Sequence, residues 1–167
     1  LHELHTTNRL DFAKQEALFL ERLLSGRLTR FTEKIRALLV DEYQDTNLLQ
    51  ENIYFELYRQ SPGAYFTVGD DDDQSLYRFR GATVELFRDF CTRLPATVNT
   101  AAPRRRDLVS NYRSTPEIVG YFNDFINNDP DFGPARVRPP KPLIVPRLPS
   151  RNLPVLGMFR ASADDLA

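Results

Sequence analysis

The 167-residue chain holds one cysteine, two histidines and no long apolar run. Each scarcity removes a class of function. Cys91 has no partner for an internal disulfide, which fits a reducing, cytoplasmic setting. The histidines, His2 and His5, both lie near the start, so no serine or cysteine hydrolase constellation can be assembled from this stretch. No hydrophobic segment approaches the roughly 18 residues of a membrane span, and no signal peptide is recognisable. None of the seven glycines precedes a lysine, so the phosphate-cradling G-x-x-x-x-G-K-[ST] loop is missing. Net charge is −1, so bulk charge selects no partner, although a local basic strip could still meet phosphates.

What is present is enough for folding. Hydrophobic residues make up 41%, too many for a disordered chain. The chain starts on Leu1 and stops at Ala167 in "SADDLA", which suggests a piece of a larger protein. Residues 11–24 place Phe12, Leu20, Leu23 and Leu24 among charges and predict a helix. "IRALLV" (35–40) reads as a buried strand ending in Asp41-Glu42. Thr46 could cap a helix over roughly 47–60, with Leu49, Ile53 and Leu57 inward and Ser61-Pro62-Gly63 as its stop. "AYFTV" (64–68) repeats the buried-strand pattern and ends in Gly-Asp.

Further on, Val84, Phe87, Cys91 and Leu94 mark one face of a helix over about 83–94. "DLVSN" (107–111) predicts a third strand. Pro116 sits in the first turn of a helix to about 127, with Ile118, Phe122, Phe125 and Ile126 inward. Eight of twelve prolines lie between Pro130 and Pro154, read as an extended connector; "PVLGMFRA" (154–161) resembles one more strand. Strand–helix alternation predicts an α/β fold with a parallel sheet. From Arg93 to Arg151 ten basic residues face five acidic ones, compatible with an ordinary surface or a nucleic-acid face.

Two stretches carry chemistry. In "LLVDEYQDTN" (38–47), Asp41 and Glu42 stand at a strand's C-terminal end, where α/β sheets bind ligands. One carboxylate can hold Mg²⁺, which takes few protein ligands. Its neighbour can orient or deprotonate an attacking water. Taken alone, such a pair could equally begin a loop or cap a helix. In "VGDDDDQSLYRFRGA" (68–82), an acidic run meets a basic-aromatic one, which suits two adjacent ligands of different chemistry.

Together with "LVSNYRSTPEIV" (108–119), these stretches resemble, in order and spacing, helicase motifs II, III and IV of the UvrD/Rep-type DNA helicases of superfamily 1A. "RLDF" (9–12) is similar to the stretch that follows the small inserted domain of that family. The resemblance implies RecA-like parallel sheets with flanking helices: residues 1–103 as the back of a first P-loop NTPase motor domain and 104–167 as the start of a second. It implies an ATP-dependent DNA helicase or translocase, moving 3′→5′ on single-stranded DNA and opening 3′-tailed duplexes. The implied partners within the protein are the remaining P-loop part and the later motifs.

By the same resemblance, Asp41 and Glu42 would hold Mg²⁺, and Glu42 would also serve as the catalytic base. Gln44 and Asp45 would relay the state of the ATP. Gln74 would sense the γ-phosphate. Tyr112 would stack on adenine, and Arg113 would act as an arginine finger. Tyr77, Phe79 and Arg80 would face the DNA strand; many relatives have Trp where Phe79 stands, and stacking on an aromatic face is worth about 1–3 kcal/mol per base.

Two departures stand out. Three residues, not two, separate Asp70 from Gln74, so either the strand ends one residue later or a bulge absorbs the extra one. The phosphate loop is missing, so residues 1–167 alone are expected to hydrolyse ATP negligibly. A non-catalytic nucleic-acid-binding module is the alternative. A nuclease built on Asp70–Asp73 is disfavoured, because consecutive residues of an extended run point different ways.

Overall fold

The computed structural model describes residues 11–71, 73–74, 84–128, 130 and 141–155. The chain divides into two compact units, with the division between Arg105 and Arg106.

In the first unit, helix α1 (Phe12–Leu24) begins at Asp11, whose carboxylate accepts the Lys14 N–H at 2.7 Å. A short helix, α2 (Thr29–Thr32), follows. Strand β1 (Ala37–Val40) leads through a 3-10 turn (Tyr43–Asp45) into α3 (Leu48–Arg59) and back to β2 (Tyr65–Val68). The strands are parallel, with Leu38 opposite Phe66 and Val40 opposite Val68. This strand–helix–strand crossover is the expected α/β unit.

Helix α3 starts one residue later than the sequence suggests. Asn47, not Thr46, is the cap: its side chain accepts the Gln50 N–H at 3.0 Å, while the Gln50 side chain accepts the Asn47 N–H at 3.1 Å. Such a reciprocal box needs a glutamine or glutamate three residues after the cap. Asn47 has Gln50 there; Thr46 would have Leu49. Thr46 is instead buried at the end of the 3-10 turn.

Two apolar clusters flank α3. On one side Ile53 and Leu57 meet Leu23 of α1, with Leu20, Ile35 and Leu38 around them. Gln50 and Gln60 reinforce this side by donating to the Glu16 carboxylate at 2.8 Å and the Leu23 carbonyl at 2.7 Å. On the other side Phe55 joins Tyr43, Phe90 and Leu94, with Phe66 and Val68 from β2. Phe90 stands edge-on to both Tyr43 and Phe66, at centroid distances of 5.2 and 5.7 Å. Edge-to-face packing adds to the burial energy of such rings.

Several expected core positions are not in the core. Phe12 and Leu24 lie on the solvent side of α1. The strands are buried on one face only, because side chains alternate along a strand: Leu38, Val40, Phe66 and Val68 meet the clusters, while Leu39 and Tyr65 are 74% and 78% exposed. The helix expected over 83–94 is two helices, α4 (Val84–Arg88) and α5 (Phe90–Val98), broken at Asp89. The buried stripe runs through Leu86, Phe90 and Leu94, four residues apart on either side of Asp89, and leaves Cys91 exposed.

In the second unit, β3 (Ser110–Asn111) pairs in parallel with β4 (Val145–Pro146), and α6 spans Pro116–Asn128. β3 is shorter than the strand expected over 107–111. β4 lies within the proline-rich stretch read as a plain connector. Proline fits there because the bonds to β3 come from its neighbours: Val145 N–H to the Val109 carbonyl and Arg147 N–H to the Asn111 carbonyl, both at 2.7 Å.

Asn123 of α6 clamps this strand, donating to the Ile144 carbonyl at 3.0 Å and accepting the Ile144 N–H at 3.4 Å. Val119 is the buried apolar residue of α6, while Ile118, Phe122 and Phe125 are at least 40% exposed, against expectation. The helix turns its Val119–Asn123 side to the strand, which carries Ile118, Phe122 and Phe125 away from it. Of the strand expected over 154–161, residues 156–161 lie outside the described residues; Pro154 and Val155 belong to no regular element.

Candidate nucleotide-facing site

The C-terminal ends of β1 and β2 are laced together. Gly69 N–H donates to the Val40 carbonyl at 2.7 Å, and Tyr43 N–H donates to the Gly69 carbonyl at 3.0 Å. Asp41 and Glu42 emerge between these two bonds and are exposed. Glu42 has a left-handed backbone, φ +51° and ψ +47°. That conformation costs a residue with a side chain about 1–2 kcal/mol. It persists where the surroundings fix it, often at functional sites. Its N–H donates to Asp41 Oδ1 at 3.1 Å.

Gln44, almost wholly buried, joins the two loops. Its Nε2 donates to Glu42 Oε2 at 2.6 Å, and its Oε1 accepts the Asp71 N–H at 3.4 Å. Asp71 organises the acidic run. Its carboxylate accepts the Asp73 N–H at 3.2 Å and the Gln74 side-chain amide, and its carbonyl accepts the Gln74 N–H at 2.9 Å. A continuous polar chain thus runs Glu42–Gln44–Asp71–Gln74.

β2 ends at Val68, and the Gln74 N–H turns back to the Asp71 carbonyl at 2.9 Å. Asp70 follows the strand end directly, while Asp71 makes the bonds that reach Gln44 and Gln74.

Asp41 and Glu42 offer hard carboxylate oxygens, the donor type that Mg²⁺ prefers. Among the described residues no three His, Cys, Asp or Glu side chains gather as a metal cage. An ion that takes one or two carboxylates and completes its shell with phosphate and water fits this donor set. Gly69 keeps the space open: a Cβ there would stand 3.1 Å from Asp41 Oδ1. Asp45 lies in the 3-10 turn, and its Oδ1 is buried without a hydrogen-bond partner among the described residues.

Tyr112 and Arg113 belong to the second unit, just after β3. Asn111 Oδ1 accepts the N–H groups of Arg113 at 2.9 Å and Ser114 at 2.7 Å, a turn that leaves both the Tyr112 and Arg113 side chains exposed. Tyr77, Phe79 and Arg80 lie outside the described residues.

Two residues that sequence reasoning passed over stand behind the turn. Glu51, with no exposed surface, accepts the Tyr43 hydroxyl at 3.1 Å and Arg93 Nε at 3.1 Å. Burial, then the Glu51 carboxylate, push the Tyr43 hydroxyl well above the usual tyrosine range. A signal existed for Glu51: it sits at i, i+4 and i+7 with Phe55 and Tyr58, a charge on an otherwise aromatic stripe. Arg93 had none.

The UvrD/REP helicase N-terminal domain family matches residues 1–95. The ATP-dependent DNA helicase Rep of Escherichia coli (strain K12) is 40% identical over 137 residues, 76% of this chain and 18% of the relative. Rep of Buchnera aphidicola subsp. Baizongia pistaciae is 36% identical over 135 residues, 77% of this chain and 18% of the relative. DNA helicase II of Haemophilus influenzae is 36% identical over 104 residues, 62% of this chain and 13% of the relative. The chain therefore spans less than a fifth of the length of these relatives. With its parallel β1–α3–β2 unit and the family match over residues 1–95, this chain belongs to the UvrD/REP helicase family.

Proposed function

We propose that this chain is the segment of an ATP-dependent DNA helicase that carries motifs II, III and IV, on RecA-like motor domains. The observation that carries the proposal is the Glu42–Gln44–Asp71–Gln74 chain, which ties an exposed carboxylate turn to the loop leading into Tyr77, Phe79 and Arg80. Asp41 would hold Mg²⁺, which when bound would offset negative charge on the phosphates. Glu42 accepts the proton of the attacking water, and Gln44 fixes the rotamer of its carboxylate. Gln74 donates its amide towards the γ-phosphate, and the bond it now makes to Asp71 is the one that would be exchanged. Tyr112 would stack on the adenine, and Arg113 would bring a permanent positive charge to the γ-phosphate. Tyr77, Phe79 and Arg80 grip a single strand by stacking and phosphate contact.

Coupling follows from proximity in the chain. A shift at Gln74 reaches Phe79 within five residues. The test is strand separation by the full-length protein with ATP and Mg²⁺, on duplexes tailed at either end. Opening of 3′-tailed duplexes only is expected. Strand binding without any ATP turnover would favour the non-catalytic module instead, and opening of 5′-tailed duplexes only would reverse the polarity.

A further inference from the structure

Behind the carboxylate turn lies an ion pair between a fully buried carboxylate and a partly exposed guanidinium. Glu51 on α3 has no exposed area, and Arg93 on α5 meets it with Nε at 3.1 Å from Oε2 and 3.3 Å from Oε1, and with Nη2 on Oε2. The third member is the Tyr43 hydroxyl at 3.1 Å. A buried carboxylate is costly unless paired, and such pairs are often no more stabilising than apolar side chains of the same volume. Stability alone therefore gives little reason for this pair to be here.

Its geometry gives a better one. Tyr43 is the residue after Glu42, and it is held at three points. Its N–H donates to the Gly69 carbonyl at 3.0 Å. Its ring packs against Phe90 at 5.2 Å, Tyr54 at 6.2 Å and Phe87 at 6.5 Å. Its hydroxyl ends on Glu51, which Arg93 fixes from α5. Glu42 needs such a neighbour, because its left-handed backbone survives only where the adjoining residues permit no alternative. Apolar packing holds the ring in place; a directed hydrogen bond to a clamped carboxylate adds a fixed end point for its hydroxyl.

We propose that Glu51 and Arg93 are positioning residues: through the Tyr43 hydroxyl they fix the height of the Asp41–Glu42 turn above the sheet and so set the reach of the catalytic base. The proposal rests on the reading of that turn as the metal-and-base turn of an ATPase, and extends it to α3 and α5.

The test is the full-length protein carrying Glu51→Leu with Arg93→Met, which replaces the pair by apolar side chains. Melting temperature, kcat and KM for ATP at saturating single-stranded DNA, and amide hydrogen exchange over residues 41–46 are measured together. The expected result is a lower melting temperature, because the buried Tyr43 hydroxyl loses its acceptor, with unchanged KM, kcat about 10-fold lower and faster exchange at the Tyr43 N–H. Wild-type kcat together with wild-type exchange at the Tyr43 N–H would overturn the proposal.

If the double variant does not fold, Arg93→Lys decides, since lysine keeps the charge and loses the fork. Reduced kcat with faster exchange supports positioning; unchanged kcat and exchange overturn it. A wild-type protein without DNA-stimulated ATPase would remove the helicase reading, while the exchange measurement would still report whether the pair holds the turn.

Discussion

Glu42→Gln in the full-length protein is expected to bind ATP as tightly as wild type and to turn it over about 10²–10⁴-fold more slowly. The substitution keeps the shape of the side chain. It also keeps an oxygen to accept the Gln44 amide, now 2.6 Å from Glu42 Oε2, so the turn need not rearrange. What is lost is the carboxylate that can take a proton from water. Since Glu42 is exposed and outside both apolar clusters, the melting temperature is expected to hold. Steady-state ATPase beside equilibrium nucleotide binding checks this. A variant with near-normal turnover would assign the base elsewhere, with Asp41 the nearest candidate.

Arg113→Ala is the second large effect. An arginine that meets the transferring phosphoryl group in the transition state is worth about 10³–10⁵-fold in kcat. In this chain the backbone at Arg113 is fixed by Asn111 while the side chain is exposed, so its removal is expected to leave the second unit intact. ATP binding is expected to weaken far less than turnover, because the charge it answers develops during the reaction. Arg113→Lys is expected to recover only a small part, since an ammonium cannot present the planar fork. Single-turnover hydrolysis separates these outcomes. Equal losses in binding and turnover would make Arg113 a ground-state contact.

The parts of this site that sequence reveals are those written contiguously. β1 and β2 are legible because a short apolar run stops abruptly at acids. Asp41, Glu42 and Gln44 are legible because one ten-residue string holds them all. The Glu51–Arg93 pair is illegible for the opposite reason. Its members lie 42 residues apart; Glu51 is marked only by its place on an aromatic stripe, and nothing in the sequence points from it to Arg93. Only the packing of α5 against α3 brings them together.

The misplaced features share a local cause: two signals compete and a neighbour decides. Thr46 and Asn47 can both cap a helix, and Gln50 selects Asn47. Phe90 and Cys91 can both face inward, and Phe90 is the one in phase with buried Leu86 and Leu94. Pro146 argues against a strand until its missing N–H is seen to be the one that β3 does not need. The exposed face of β1 and β2 follows from a different limit, since a run of apolar residues shows that a strand is present but not how many of its faces are covered.

The central claim, that Asp41 and Glu42 form the metal-and-base turn of an ATPase, is tested most directly by changing the metal preference. The full-length protein with Asp41→Cys presents a soft thiolate where a hard carboxylate stood. DNA-stimulated ATP hydrolysis is measured in Mg²⁺ and then with added Mn²⁺ or Cd²⁺. Hydrolysis is expected to be lost in Mg²⁺ and partly regained with the softer ions, while wild type gains nothing from them. Wild-type activity of the variant in Mg²⁺ would contradict the assignment of Asp41 as a metal ligand.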